Sequence, residues 1–320
     1  MKADRRLSGE PVRTLFLGSG AFAVPILDAL VAAPEVRLVG VVAAPDRPSG
    51  RRAELTPVPV ARRARELDLP LLQPARLRAP DAVAEVAALQ PELGVLADYG
   101  QIVPSSILTI PAHGILNVHP SALPRYRGAA PIPATIVAGD PIGAVTLIRM
   151  DEGLDTGPIL LQETLAISPD DTCGTLHDRL GALGAKLLVQ ALASNPAPRP
   201  QDCAAATYAA RIGKDEAGID WRRPAVEIER QVRAFDPAPG AQTQCDGVTL
   251  KIWHARVEPG AAGAAGIVSA AGADGIVVAC GGGALRITEL QRAGGKRLPA
   301  QAFLSGFKLE RGARLGAADG

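Results

Sequence analysis

A chain of 320 residues that is 47% hydrophobic, with a formal net charge of +1, has the composition of a folded globular protein rather than a disordered one. No apolar run reaches the roughly 18 residues of a membrane-spanning helix, and the first ten residues lack the apolar stretch of a secretory signal. The four cysteines lie far apart, which argues against a zinc site or a disulfide framework. These features favour a cytoplasmic protein without a membrane segment.

The first 194 residues alternate short apolar strands with helical patterns. In chain order, strands are predicted at residues 14–17, 38–42, 71–72, 93–97, 115–118 and 145–150. Helices are predicted at residues 25–31, at residues 81–89 with Asp81 as the cap, and around the leucines from Leu176 to Leu188. This alternation predicts an α/β fold, in which a Rossmann-like parallel sheet carries helices on both faces.

A proline-rich segment then interrupts the pattern, with three prolines among residues 195–202. Such a segment favours an extended linker, which we place at residues 195–206. One helix is predicted at about residues 225–235, and short strands follow at residues 248–253, 265–268, 276–279 and 285–290. The sequence thus predicts a catalytic domain at residues 1–194 and a small, OB-like β-barrel domain at residues 207–320.

Gly18 and Gly20 follow the first strand in the manner of a dinucleotide-binding turn. The third glycine of that fingerprint is replaced by Ala23, and no acidic residue closes the second strand near Val42 to bind a ribose. A tight strand-to-helix turn that requires small residues is the better interpretation. A nicotinamide-dependent oxidoreductase remains an alternative.

Asn117 and His119 are two residues apart on a predicted strand, so their side chains point to the same side of the sheet. They lie near the carboxyl end of that strand, where ligands bind in open α/β sheets. An Asn amide can donate hydrogen bonds to an oxyanion, and His exchanges a proton near neutral pH. Asp155, in the loop after the strand at residues 145–150, adds a carboxylate at the same end. Spacing alone leaves open whether these residues form an active site or an ordinary turn.

Several motifs in these segments are similar to those of a known family. N-V-H-P-S-A-L-P at residues 117–124, D-E-G-L-D-T-G-P at 151–158 and P-D-R-P-S-G-R at 45–51 resemble the folate-dependent formyltransferases. Among these, the methionyl-tRNA formyltransferases are the most similar, and the motifs I-D-W at 219–221 and R-A-F-D-P at 233–237 extend the resemblance over nearly the whole chain. The sequence departs from the family pattern at Ser19, Gly20, Asp98 and Ala238.

The resemblance implies transfer of a formyl group from 10-formyltetrahydrofolate to the amino group of initiator methionyl-tRNA. It also implies that Asn117, His119 and Asp155 are the catalytic residues, although which group acts as the base stays open. A metal is not expected, because the N-formyl carbonyl is already activated, and neither is an obligatory protein partner. A relative that formylates a nucleotide sugar or glycinamide ribonucleotide is the nearest alternative, and a catalytically silent RNA-binding protein is a third.

Two binding regions are implied as well. The segment formed by Ser121, Ala122, Leu123 and Pro124 matches the folate-binding segment of the family. Arg51 matches a tRNA-contacting arginine, and it stands between Arg47 and Arg52 in one loop. Guanidinium groups suit both phosphate contacts and stacking on an unpaired base. The three arginines are therefore predicted to contact the tRNA.

Overall fold

The computed structural model describes residues 10–49, 54–213, 215–258, 260 and 263–316. Within these ranges, none of the helices has the length together with the apolar character that a membrane crossing demands. The same ranges contain no group of three His, Cys, Asp or Glu side chains placed to hold a metal ion.

The chain divides into two compact units. The first comprises Met1–Pro131, Ile142–Ala166 and His177–Ala210, and the second comprises Ile132–Pro141, Ile167–Leu176 and Arg211–Gly320. Two short segments from the first 194 residues therefore belong to the second unit. The boundaries at residues 1–194, 195–206 and 207–320 remain a prediction about which parts of the chain work independently.

Up to Ala209, short strands and helices alternate along the chain. The strands are β1 (Val12–Gly18), β2 (Val36–Val42), β3 (Arg47–Ser49), β4 (Glu54–Thr56), β5 (Leu71–Leu72), β6 (Leu93–Ala97), β7 (Ile115–His119), β8 (Arg127–Gly128), β9 (Ile142–Arg149), β10 (Ile159–Ala166) and β11 (Tyr208–Ala209). The helices are α1 (Ala23–Ala32), α2 (Pro59–Glu66), α3 (Pro80–Ala88), α4 (Ser105–Leu108), α5 (Pro131–Ala138) and α6 (Cys173–Ser194).

Seven of these strands form one sheet in the order β10-β9-β7-β6-β1-β2-β5. The five strands from β7 to β5 pair in parallel, whereas β9 and β10 pair antiparallel. Strands β1, β6 and β7 are buried over almost their whole length, as expected for the central strands of a parallel sheet. The predicted Rossmann-like α/β fold is therefore confirmed.

Helix α6 packs against one face of β7, and the polar residues lie on the other face. A Cβ atom at Gly184 of α6 would lie 2.8 Å from Val118 Cγ1, so the absence of a side chain lets the helix approach the strand closely. Val118 thus faces α6. Because side chains alternate along a strand, Asn117 and His119 point to the opposite face of the sheet.

Helix α3 begins differently from the prediction. Its cap position is Ala79, no side chain caps it, and Asp81 lies in its first turn. The expectation that Asp81 caps this helix is therefore wrong. Pro80 begins the helix instead, because the fixed φ of proline is already helical and its missing N–H would have no partner there.

Beyond Ala209, the chain is mostly β-structure. Helix α7 (Ala225–Ala234) precedes β12 (Ala241–Cys245), β13 (Val248–Glu258), β14 (Val268–Gly272), β15 (Gly275–Ala279), β16 (Ala284–Arg292), β17 (Leu298–Pro299) and helix α8 (Ala300–Leu304). The six strands form an antiparallel sheet in the order β12-β13-β16-β15-β14, with β17 paired to β16. A β-rich region after the α/β region is thus confirmed, although the strand predicted at residues 265–268 begins only at Val268.

Candidate active site

Two buried polar side chains stand at the carboxyl end of β7. Asn117 is 6% exposed and His119 is 4% exposed. Burial of a polar group without a hydrogen-bond partner is costly, so buried polar side chains in folded proteins are almost always paired. The partners of these two residues therefore define the site.

Asp155 is the partner that the two residues share. Asn117 Nδ2 donates to Asp155 Oδ1 at 3.0 Å, and His119 Nδ1 lies 3.7 Å from Asp155 Oδ2. The backbone N–H of Gly128 also donates to Asp155 Oδ2, at 2.8 Å. The structure thus brings the three residues predicted as catalytic together around one carboxylate.

The turn between β9 and β10 places Asp155 in this position. Its φ is 53°, in the left-handed region that Asp tolerates better than most residues. A Cβ atom at Gly157 would overlap the carbonyl oxygen of Arg149, so only glycine fits where the turn closes. The N–H of Arg149 donates to the carbonyl of Pro158 at 3.0 Å across the base of the turn. The local sequence D-T-G is therefore what allows the chain to present the carboxylate.

An oxygen atom faces each ring nitrogen of His119, at hydrogen-bond distance from Nε2 and slightly farther from Nδ1. Nε2 lies 3.0 Å from the carbonyl oxygen of Tyr126, and because a carbonyl oxygen only accepts, Nε2 carries the proton in this bond. The other ring nitrogen faces the Asp155 carboxylate. A doubly protonated ring would thus have an acceptor for each N–H. This arrangement suits a cationic imidazole that stabilises negative charge developing nearby.

The segment from Ser121 to Pro124 follows β7 and is fixed from the neighbouring strands. Thr146 Oγ1 of β9 donates to the carbonyl of Ser121 at 2.6 Å and accepts from the N–H of Leu123 at 3.2 Å. Gln162 of β10 donates to the carbonyl of Leu123 at 3.0 Å. Ser121 and Leu123 are buried, whereas Ala122 and Pro124 are half-buried. Ser121 and Leu123 therefore shape the segment from inside, and its accessible surface comes from Ala122 and Pro124.

Of the three arginines predicted to contact tRNA, Arg47 belongs to a hairpin formed by β3 and β4. Arg47 is exposed at the start of this hairpin. Arg51 and Arg52 lie outside the described residues. The hairpin follows β2, whose carboxyl end is on the same edge of the sheet as that of β7, because these strands run parallel.

One residue of the site is missed by sequence reasoning. Gln201 Nε2 donates to the backbone carbonyls of Asp155 and Gly157, both at 2.7 Å, and Gln201 Oε1 accepts from Arg127 Nη2 at 2.8 Å. Gln201 stands in the proline-rich segment, where nothing in the local pattern singles out a glutamine. Its position follows from backbone pairing of Arg199 with Ile159, at 2.7 and 2.8 Å, which lays the segment beside β10.

The turn after β1 is explained by packing. A Cβ atom at Gly18 would lie 2.8 Å from Phe16 Cε1 and 2.9 Å from Ala23 Cβ. Small residues are therefore needed where the strand turns directly into α1. These contacts account for the glycine without a bound nucleotide.

Asp98 follows β6 beside this turn and explains a second feature of it. A Cβ atom at Gly20 would overlap Asp98 Oδ2, so the carboxylate occupies the space that a side chain at position 20 would need. Gly20 and Asp98, both departures from the family pattern, therefore lie against each other. Burial raises the pKa of the Asp98 carboxyl, and the nearby His177 opposes that shift.

The family of the chain follows from comparison with known proteins. Residues 12–192 match the sequence model for formyl transferase, which is more than half of the chain. Residues 211–308 match the model for the formyl transferase C-terminal domain. The chain belongs to the formyl transferase family. Asn117, His119 and Asp155 all lie within the first match.

Individual formyl transferases are similar over most of the chain. The methionyl-tRNA formyltransferase of Cereibacter sphaeroides is 47% identical over 305 residues, which cover 95% of this chain and 99% of that protein. This identity confirms the resemblance drawn from the motifs. The solved structure of a methionyl-tRNA formyltransferase from Clostridium thermocellum covers 78% of this chain and 95% of that chain, with a TM-score of 0.56 and 15% identity.

A longer protein shares the fold as well. HypX from Aquifex aeolicus, solved in complex with tetrahydrofolic acid, covers 92% of this chain with a TM-score of 0.60 and 19% identity. This chain spans 47% of the HypX chain. At this level of identity, the likeness shows a common fold.

Proposed function

We propose that this protein transfers the formyl group of 10-formyltetrahydrofolate to the amino group of initiator methionyl-tRNA, in the cytoplasm and for translation initiation. The observation that carries the proposal is the meeting of Asn117, His119 and Asp155 at the carboxyl end of β7. Together they supply an amide donor, an imidazole and a carboxylate, as acyl transfer to an amine requires. The 47% identity to a methionyl-tRNA formyltransferase supports the choice of acceptor.

Asn117 and His119 stabilise the oxyanion in this mechanism. The acceptor nitrogen forms a bond to the formyl carbon, and the bond from that carbon to the folate nitrogen breaks. Between these events the formyl oxygen is negative. Asn117 Nδ2 donates one of its two hydrogens to Asp155, and the second is available for this oxygen. A protonated His119 adds positive charge near this oxygen, while its two ring nitrogens face Tyr126 and Asp155. Loss of one oxyanion donor such as the Asn117 amide typically costs about 100- to 1,000-fold in rate.

Asp155 has two tasks in the proposed reaction. Its carboxylate orients Asn117 and the His119 ring, and it helps to remove the proton that the acceptor amine loses. The two oxygens accept N–H groups from Asn117 and Gly128, and lone pairs remain for the amine or for an intervening water. The proton ends on the folate nitrogen that has lost the formyl group, so the atoms balance.

Formyl transfer to three acceptors tests the proposal. Labelled 10-formyltetrahydrofolate is incubated with the protein and with initiator methionyl-tRNA, glycinamide ribonucleotide or a UDP-amino-sugar. We expect the label in methionyl-tRNA, with kcat/KM far above that for either small acceptor. Preference for a small acceptor would contradict the choice of substrate, and absence of transfer to any of the three would contradict formyl transfer itself.

The hairpin of β3 and β4 is part of the proposal as the region that selects tRNA. Arg47, Arg51 and Arg52 would contact phosphates or an unpaired base. Replacement of Arg51 by Ala is expected to raise the KM for tRNA and to leave folate binding unchanged. If Arg51 contacts a phosphate, the salt slope of tRNA binding falls by about one.

Arg37 provides a matched control for this experiment. It is exposed and lies near the amino end of β2, at the opposite edge of the sheet from the hairpin. Arg37→Ala removes the same charge and should leave the KM for tRNA unchanged. Equal effects of Arg37→Ala and Arg51→Ala would show that only the total charge matters and that the hairpin does not select the acceptor.

Residues 207–320 are proposed to bind tRNA as a separate domain. A fragment that tests this should end at Ala210 rather than near Asn195, because β11 pairs with β8 and Gln201 contacts the turn at Asp155. We expect the fragment 1–210 to bind folate and to formylate tRNA poorly. Equal tRNA affinity of the fragment and the whole chain would assign the second domain a different task.

A further inference from the structure

The Gln201 side chain uses all of its polar atoms at the turn of Asp155. Both loop contacts, Asp155 O and Gly157 O, are carbonyl oxygens that only accept, so the amide nitrogen faces them and donates both of its hydrogens. The amide oxygen faces the guanidinium of Arg127, which only donates, and accepts from its Nε at 3.2 Å and its Nη2 at 2.8 Å. The orientation of the amide is thus determined by its partners.

These bonds join the two loops that hold the candidate catalytic carboxylate. One loop carries Asp155 itself, and Gln201 fixes the backbone of that residue. The other loop carries Gly128, whose N–H donates to Asp155 Oδ2. Gly128 follows Arg127, a residue only 3% exposed, and Gln201 accepts from its guanidinium. The Gln201 side chain therefore links the loop that carries the carboxylate to the loop that carries one of its donors.

The segment that carries Gln201 is itself anchored on both sides. Before it, Arg199 pairs with Ile159 of β10 through two backbone hydrogen bonds. After it, β11 pairs in parallel with β8, in the register Tyr208 with Arg127 and Ala209 with Gly128. The amide group consequently has little freedom to follow the turn if the turn moves.

We propose that Gln201 is a positioning residue for formyl transfer, acting through the backbone of Asp155 to aim its carboxylate at Asn117 and His119. The residue does not touch the reacting atoms. It holds Asp155 in a left-handed backbone conformation, with a φ of 53°, that few side chains adopt without support. This inference rests on the function proposed above.

Gln201→Glu is the first test. The glutamate keeps the length of the side chain and the contact with Arg127, but it loses both N–H donors and sets a carboxylate against two carbonyl oxygens. We expect kcat for formyl transfer to fall by about 10- to 100-fold, because small misplacements of a catalytic group have effects of this size. The KM values for 10-formyltetrahydrofolate and methionyl-tRNA should change by less than about threefold, since Gln201 orients a group that acts in the transition state.

Two controls separate this effect from general damage. Gln190→Glu makes the same substitution at an exposed position of α6 in the same unit, and it should leave kcat unchanged. Gln201→Met removes the hydrogen bonds without adding a charge, and it should show the same fall in kcat. It serves as the test if Gln201→Glu is poorly folded. The melting temperatures of all variants are measured beside their rates.

A double-mutant cycle with Asp155→Ala gives the readout that a merely structural role would not produce. If Gln201 acts through Asp155, adding Gln201→Glu to the Asp155→Ala variant should lower kcat by less than about threefold. The same fold-loss in both backgrounds, or parental kcat in Gln201→Glu and Gln201→Met, would overturn the inference. If the parent protein transfers the formyl group and the Gln201 variants are unaffected, only this inference is overturned. If the parent protein is inactive on every acceptor, the proposed function is overturned with it.

Discussion

Two aspartates follow strands of the same sheet, and their surroundings differ sharply. Asp155 and Asp98 both have left-handed backbones, with φ values of 53° and 44°. The Asp155 carboxylate accepts hydrogen bonds from Asn117 and Gly128, and its backbone carbonyl accepts one from Gln201. The Asp98 carbonyl accepts from the N–H groups of the turn after β1, but among the described residues no hydrogen bond reaches its carboxylate.

A left-handed backbone alone does not make an aspartate part of a built site. Positive φ marks both acids, yet only Asp155 has donors that fix the direction of its carboxylate. Asp98 is placed by its backbone alone, and the surrounding protein raises its pKa. A built site is therefore recognised by the donors around an acid, and the backbone conformation alone does not identify it.

Removal of the groups around Asp155 is expected to have the largest effect. Ala at Asn117, His119 or Asp155 should leave the fold intact and lower kcat by about 100-fold or more, because each removes a donor or acceptor needed in the transition state. Combined substitutions should cost much less than the product of the single losses, since the three act as a unit. The measurements are single-turnover formyl transfer and circular dichroism. Turnover at the parental rate in His119→Ala would show that the residues around Asp155 are not the catalytic group.

The glycines beside the two acids give a matched pair with an intermediate effect. In Gly157→Ala, the new Cβ meets the backbone oxygen of Arg149, which cannot move without moving β9, so stability should fall by about 1–3 kcal/mol and kcat with it. In Gly20→Ala, the new Cβ meets the end of the flexible Asp98 side chain, which can rotate, so the loss should stay below about 1 kcal/mol.

Urea unfolding of these variants measures the difference, and Asp98→Ala serves as the control. In the Asp98→Ala background, Gly20→Ala should become neutral, because the overlapping atom is gone, while Gly157→Ala should cost as much as before. Equal losses for the two glycine variants would mean that the two turns are equally rigid, which contradicts the comparison.

The smallest effect is expected for Asp98→Asn. Because the carboxyl pKa is raised in the folded protein, the folded state holds this proton more tightly than the unfolded chain does. The ionised Asp98 carboxyl therefore lowers the stability of the fold at high pH. This loss disappears as the pH falls through the folded pKa. Burial of the carboxyl raises its pKa, but Asp98 as a whole residue is exposed, so solvent screens much of this effect. The gain from the neutral Asn should therefore be only about 1–3 °C in Tm at pH 7.

The pH dependence of this gain is the decisive measurement. The difference in Tm between Asp98→Asn and the parent should shrink as the pH is lowered through the folded pKa, and it should vanish below the ordinary pKa of Asp, where the parental carboxyl is protonated in both states. A difference that grows on acidification would have the wrong sign for a raised pKa. It would place a favourable partner beside the Asp98 carboxylate, as beside that of Asp155.

The fold class and the central polar pair follow from the amino-acid pattern alone. Apolar strands that alternate with helical patterns require a layered α/β structure, and the period of two along a strand places Asn117 and His119 on one face. The sequence predicted Asp155 at the same edge, but β9 is antiparallel to β7, so the loop after β9 begins at the amino end of β7. The path of that loop, which returns the carboxylate to Asn117, depends on tertiary contacts. The motifs around these residues were specific enough to name the family before any geometry was known.

The residues that surround this pair come from distant parts of the chain and depend on tertiary contacts. Gln201 is 46 residues from Asp155 along the chain, and the coupling of Gly20 to Asp98 likewise joins distant segments. Local patterns describe the periodicity of one segment, whereas these contacts depend on which segments the sheet order and the backbone pairing bring side by side. The amide of Gln201 therefore gives no signal in its own proline-rich surroundings, because the groups that determine its role lie on other parts of the chain.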